Sequence, residues 1–509
     1  MHPVVSILCM FASAVLYGLP FPPLGWQPLA WIALVPVLVA MRRSSTPMAL
    51  VVAWGFAAFG AYATADDLPR SVAAYYDQPH WLGIVLFFVM ASFTTSTVML
   101  GFAMFCRTVE RLSPWTRPAL IGAAWVGYEI VRARVLGNPW GDFGYSQVGI
   151  GPLVQIADVT GVFGISFVLA TVNAAIAELL LARGSEQRRS ALAGAGVAVA
   201  ILACQLGYGV ARPQSLATVL ASEPSRVVIV QGNVDLGTQW RWEFYGTHLE
   251  EYMEMTMAAA GEREPALVVW PENAMTFFLE TEPAYQGALG FMLTRAHAQL
   301  VAGGPHRPSP DESTYFNSAF LVDTNGVVLG RYDKQRLLPF AEYFPIPWLD
   351  FLRRRFGTIR VFTPGTDTPP LPTKVGAAGV MICNESLYGE IAGRRVADGA
   401  QILMNLTNDG WLGDERLSGV AFAMTTLRAV EQRRYIIRSS TSGPSAVIDP
   451  LGRVHGRTEL LSRETTDGEV RALDVGTIYS RVGDLFALVC LALSAAVAVA
   501  LRSTGRTVR

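Results

Sequence analysis

The chain has 509 residues, too many for one ordinary hydrophobic core. Hydrophobic residues make up 51% of it, charged residues only 16%, and the mean hydropathy is +0.33, which argues against an ordinary soluble protein and for a membrane protein. A net charge of −1 with no basic stripe gives nucleic acid nothing to bind, so no nucleic-acid partner is expected.

In chain order, apolar segments fall at 3–19, 27–41, 47–64, 81–105, 118–136, 153–182 and 191–211, and an eighth at 482–501. A bilayer core asks for roughly 20 residues per helix, so the first two are short. The first segment lacks a basic n-region and the chain stays apolar long past it, so it reads as a membrane helix and not as a signal peptide. Residues 212–480 instead have the mixed charge and turn density of a soluble domain. The expected architecture is a multi-pass α-helical membrane domain of about eight transmembrane helices (1–211 and 481–509, the latter with a short tail) plus an α/β domain.

Alternate loops carry Arg42 and Arg43, then Arg107, Arg111 and Arg117, then Arg183, Arg188 and Arg189, then Arg502, Arg506 and Arg509. If all eight segments span, these sets share one side, and the positive-inside rule makes it the cytoplasm. Both termini are then inside and 212–480 is outside. Arg132 and Arg134 break the pattern. They read either as interfacial or lumen-facing groups, near lipid phosphates, or as partners of Glu129 within one helix.

Strands are expected at 226–233, 266–272, 299–304, 318–323, 327–334, 377–383, 401–409, 433–440 and 445–454, with helices at 242–260, 281–298, 386–399 and 415–432. Such mixing implies an α/β sandwich whose strands are covered by helices. Of the five cysteines, only Cys383 belongs to the outer domain, so it has no intradomain disulfide partner. A free cysteine is more often a small buried hydrophobe than a nucleophile, so its partners decide. Three strands end in reactive types: Glu272 after "VVWP", Lys334 after "GRYD" and Cys383 after "VMI". A carboxylate to move a proton, an ammonium to stabilise an oxyanion and a thiol to attack a carbonyl make a thiol acyl-transfer set. The Asn384 N–H would supply a second oxyanion donor. Only two of the 40 basic residues are lysine, Lys334 and Lys374, in a chain that otherwise uses arginine. Taken alone, Glu272 reads equally well as a solvated or strand-capping carboxylate.

"VVWPENA" around Glu272, "YDKQRLLPFAEYFP" around Lys334 and "ICNES" around Cys383 resemble the Glu, Lys, Cys triad of the nitrilase superfamily. With "GLPFPPLGWQPLAWIALVPVL", "NPWGDFGYSQ", "VQGNVDLGTQW", "NLTNDGWLGD" and "RSSTSGPSAVIDPLGRV", the whole chain resembles its membrane-embedded branch, the apolipoprotein N-acyltransferase family. The resemblance implies a nitrilase-like αββα sandwich on the outer face of the bacterial inner membrane. It also implies transfer of an acyl chain from a phospholipid, typically phosphatidylethanolamine, through a Cys383 thioester to the N-terminal cysteine of a diacylglyceryl lipoprotein. By the same resemblance Glu342 orients Lys334, Glu385 lines the site, Asn317 and Asn405 support the pocket walls, and Trp240 and Trp411 border an acyl groove. For both tryptophans ordinary core packing is the plainer reading. Asn384, where the family commonly has an aromatic, and "LLSRETTDGEVRALDVGTIYSRVGD" depart from the pattern. No metal-ligand spacing or phosphate-binding glycine loop occurs, so neither metal nor cofactor is expected. A monomer is expected. A membrane-anchored amidase or thioesterase, and a non-catalytic transporter or scaffold with a degenerate nitrilase domain, are the alternatives.

Overall fold

The computed structural model describes residues 1–509 except 236–240, 262–263, 310–313, 344–360, 414 and 505–509. Among the described residues five helices are long and apolar enough to cross a membrane: Thr46–Thr64, His80–Arg111, Val162–Leu181, Gly184–Leu216 and Leu485–Ser503; Pro3–Gly18 is a shorter apolar helix. The other expected spans are shorter or broken. Segment 27–41 is a 3-10 turn, Gln27–Trp31, followed by a helix at Val35–Arg43 with Pro36 in its first turn, where a missing N–H costs nothing. Segment 153–182 is interrupted at Gly161, whose φ of +63° ends one short helix and begins the next.

The arginine-bearing loops gather at one end of this bundle. Arg117 donates to Glu178 at 3.0 Å, Arg42 pairs with both Glu110 and Glu178, Arg107 donates to the Met41 and Ser44 carbonyls, and Arg111 donates to the Leu501 carbonyl. Arg132 and Arg134 lie away from that cluster, and neither hydrogen-bonds Glu129, so the expected pairing within one helix is corrected. Arg132 pairs with Asp142, and Arg134 reaches Glu390 and Asp484, each at 2.6 Å. Glu129 instead accepts from Trp125 Nε1 and the Phe143 N–H.

Among the described residues, the α/β domain is built from two six-stranded sheets. In chain order the strands are β1 (Ser225–Gln231), β2 (Leu267–Val269), β3 (Gln299–His306), β4 (Phe316–Val322), β5 (Val328–Asp333), β6 (Leu371–Thr373), β7 (Gly376–Ile382), β8 (Ile402–Thr407), β9 (Ile436–Ser440), β10 (Ala446–Ile448), β11 (Val454–His455) and β12 (Glu464–Val470). One sheet runs β12-β1-β2-β3-β4-β5 and the other β11-β10-β9-β8-β7-β6. Alternation along each strand makes the layers. Val227 and Ile229 meet Val380, Ile382, Met404 and Leu406 between the sheets, whereas Val228 and Val230 face the helices Tyr245–Ala260 and Pro283–Ala296. The second sheet is covered by Gly389–Ala397 and Glu415–Gln432, giving the αββα sandwich.

Two strands escaped the sequence reading. β6 has three residues, and β12, "ETTDGEV", is a polar edge strand with no apolar alternation, held antiparallel to β1. The expected strand 445–454 is two, because Asp449 folds back to accept from the Leu451 and Arg453 N–H groups.

Helix Glu415–Gln432 is buried on every side from Leu417 onward. Its Val420, Met424, Leu427 and Val430, spaced i, i+4, i+7 and i+10, belong to the hydrophobic core of the membrane half, while Phe422 and Ala429 pack on the second sheet. Polar ties reinforce the junction: Arg416 donates to the Pro22 and Ala63 carbonyls and pairs with Asp66, Ser71 donates to the Leu412 carbonyl, and Arg428 donates to the Tyr145 hydroxyl.

Candidate active site

Glu272 follows β2 by three residues, Lys334 follows β5 by one and Cys383 follows β7 by one, so all three stand just past the ends of strands in facing sheets. Cys383 opens a 3-10 turn, Cys383–Leu387, at φ +53°, a conformation uncommon for a non-glycine residue and a form of local strain found at functional sites. The turn is held from beneath, as Asn405 Nδ2 and Ser386 Oγ both reach the Cys383 carbonyl at 3.3 Å. Asn405 is in turn fixed by Arg438, which pairs with Asp409 at 2.6 Å in a wholly buried network.

Glu272 is buried, and both its oxygens are engaged. Asn317 Nδ2 donates to Oε1 at 2.7 Å, and the Asn408 N–H donates to Oε2 at 2.8 Å. The same Asn317 amide donates to Glu342 at 2.9 Å, so one side chain spaces the two carboxylates. Lys334, also buried, donates to Glu342 at 2.9 Å and lies 3.9 Å from Glu272, which is beyond hydrogen-bond reach. An ammonium has three N–H groups, so Lys334 keeps donor capacity beyond its bond to Glu342.

Burial raises the Glu272 carboxyl; the Lys334 charge opposes that, the Glu342 charge adds to it, and the result is about 7. Burial works to lower the Lys334 pKa, but the carboxylates, Glu342 first and then Glu272, outweigh it and hold the ammonium charged. The Cys383 thiol is pushed well up, first by burial and then by the Glu272 charge, against the pull of Lys334. These charges therefore act on one another across a single site. The resting thiol is neutral beside a carboxyl poised near neutral pH, an arrangement suited to proton transfer during attack and not to a standing thiolate.

Glu385 is fully buried within electrostatic reach of Lys334, accepting from Tyr332 Oη, from the Gln335 and Arg336 N–H groups and from the Ile382 N–H at 2.7 to 3.0 Å. It thus joins the segment after Lys334 to the strand that ends in Cys383. The Asn384 side chain is buried with its Oδ1 unpartnered, and its N–H is in the first turn of a helix, where intrahelical partners are lacking. Trp411 packs with Leu412, Leu417, Ala65, Leu68, Phe87 and Trp140 at the junction with the membrane half. Trp240 lies outside the described residues. Sequence reasoning missed Tyr332, Asn408, Asp409 and Arg438; all four stand inside the motifs that carried the resemblance, but nothing in the spacing revealed their contacts.

Two family models match the chain: the apolipoprotein N-acyltransferase N-terminal domain over residues 13–175 and carbon-nitrogen hydrolase over 226–479. The apolipoprotein N-acyltransferase of Geobacter metallireducens is 33% identical over 96% of this chain and 93% of its own length. The chain belongs to the apolipoprotein N-acyltransferase family. It is an acyltransferase with a nitrilase-like domain. The apolipoprotein N-acyltransferase of Pseudomonas aeruginosa is 29% identical over 91% of the chain and 89% of its own length. Among solved structures, the C. elegans NitFhit protein is similar with 19% identity and a TM-score of 0.41, covering 52% of this chain and 65% of that one. Among the described residues no cluster of His, Cys, Asp and Glu could hold a metal ion.

Proposed function

We propose that the protein N-acylates the N-terminal diacylglyceryl-cysteine of bacterial lipoproteins, with a phospholipid as acyl donor. The observation that carries this reading is the convergence of Glu272, Lys334 and Cys383 in one buried site, in a chain whose other half is a bundle of apolar helices. Glu272 takes the thiol proton as Cys383 attacks the donor ester. Lys334, held by Glu342, stabilises the oxyanion together with the Asn384 N–H, and Glu272 returns the proton to the departing lysophospholipid. In the second half-reaction the lipoprotein α-amine gives its proton to Glu272 and attacks the thioester, forming an amide and freeing Cys383.

The membrane half, residues 1–211 and 481–509, supplies eight membrane segments in this reading, the shorter ones included, and the catalytic domain is 212–480. The clustering of Arg42, Arg107, Arg111 and Arg117 at one end of the bundle supports assigning that end to the cytoplasm, with both termini inside and the catalytic domain on the periplasmic face. The enzyme works as a monomer in the inner membrane, with phosphatidylethanolamine as its main donor.

The test is intact-protein mass spectrometry of detergent-purified enzyme incubated with phosphatidylethanolamine, beside Cys383→Ala. A hydroxylamine-sensitive acyl adduct on the parent alone is expected. Adduct on neither protein, with lipid bound, would overturn the reading; steady release of free fatty acid without an amine acceptor would make the protein a hydrolase.

A further inference from the structure

A cleft of about 410 Å³ lies far from the triad, lined by Asp158, Tyr208, Ala211, Arg212 and Ser215 on one side and Gly476–Ile478 on the other. Its distance from the chemistry follows from the topology. β7, β8 and β9 are parallel; Cys383 follows the C-terminal end of β7, whereas Arg433, beneath the cleft, precedes the N-terminal end of β9. The two sites are therefore at opposite ends of the sheet.

The cleft is built around charge. Asp158, 1% exposed, accepts from Arg212 Nε at 2.7 Å, from Arg433 Nε at 3.0 Å and from Tyr208 Oη at 2.7 Å. One carboxylate thus faces two guanidiniums, leaving a positive charge over. Arg433 is fully buried, with its remaining donors on Gln155 and the Pro450 carbonyl, so it presents nothing outward. Arg212 is partly exposed beside Ser215, to which it donates at 2.9 Å, so the surplus charge faces the cleft. The Arg481 guanidinium beside Gly476 adds a second positive group at the rim.

Both walls continue into exposed apolar surface. Val199 and Val210 are 64% and 59% exposed on the helix that carries Arg212, and Ile478, Val482 and Leu485 are 55%, 44% and 50% exposed on the other. Arg212 also stands at the end of the apolar run 191–211. A positive cleft joined to two apolar walls at a membrane boundary matches a phosphate with acyl chains attached, and a free phosphate would leave those walls unused.

We propose that this cleft binds the phosphate of a glycerophospholipid, on Arg212 and Ser215, as a resident lipid separate from the acyl donor. The inference rests on the outward orientation of this helix end and not on the chemistry of Cys383. The test is native mass spectrometry of full-length Cys383→Ala, which cannot consume a donor chain, titrated with palmitoyl-oleoyl phosphatidylglycerol. Adding Arg212→Ala is expected to remove one bound lipid or weaken it about tenfold or more. Adding Ala211→Phe, which fills the cleft and leaves the Arg212 pair with Asp158 intact, is expected to do the same. Diacylglycerol with the same chains should bind equally poorly to all three proteins. Equal phosphatidylglycerol binding by all three would overturn the proposal, as would equal retention of diacylglycerol. Displacement of the lipid by millimolar inorganic phosphate would make this a free-anion site and overturn it likewise.

Discussion

Glu272 and Glu385 are both buried carboxylates near strand ends, yet they are set for opposite tasks. Glu385 is surrounded by four donors and is a joint, whereas Glu272 is held near neutral pKa beside a thiol. Because only the carboxylate form of Glu272 can take the thiol proton, the rate of Cys383 acylation should rise with pH through about 7, which stopped-time mass spectrometry over a pH series would measure. Glu272→Gln should abolish that rise and lower the rate by roughly 10²- to 10⁴-fold. Gly303 offers a subtler change. A Cβ there would fall 2.6 Å from Glu272 Cα and from the Pro271 carbonyl, so Gly303→Ala should shift the turn that carries Glu272. Its expected signature is a loss of acylation rate of about tenfold or more, since misplacing a reacting group by an ångström can cost about 10²-fold. An unchanged rate would show that the turn tolerates the displacement.

Elements constrain the site more than single contacts do. The turn bearing Cys383 hangs from β8 through Asn405, and β8 is tied to β9 through Arg438 and Asp409. Arg438→Ala would leave Asp409 buried without its cation, and chemical denaturation in detergent should show a loss of about 3 to 5 kcal/mol. On the other side of the site, Tyr76 of the membrane half donates to the carbonyl of Phe340, whose φ is +65°, two residues before Glu342. Tyr76→Phe should therefore slow acylation by up to about tenfold, about the worth of one hydrogen bond, with less effect on the unfolding midpoint. The strand ends carrying Glu272, Lys334 and Cys383 were legible in the sequence because each follows an apolar run. The contacts of Tyr332 and Arg438 were not, since both sit inside strands where a polar residue looks like alternation.

At the scale of the whole molecule, the boundary at 211/212 separates composition but not packing. Helix Glu415–Gln432 belongs to the α/β domain by position, and its Val420, Met424, Leu427 and Val430 complete the core of the membrane half. Residues 212–480 expressed alone should expose that face and aggregate or require detergent; a monodisperse, cooperatively folding fragment would contradict this. What the sequence by itself determined is what local chemistry carries: the apolar segments, the arginine-bearing loops, the α/β alternation, the solitary thiol of residues 212–480 and the family landmarks. Only the tertiary structure decided that Glu385 is a joint, that Arg134 bonds Glu390 and Asp484, that β12 closes the first sheet and that a helix of one half completes the core of the other. Each of those depends on partners distant in the chain, and neither periodicity nor residue type encodes which distant partner a side chain will meet.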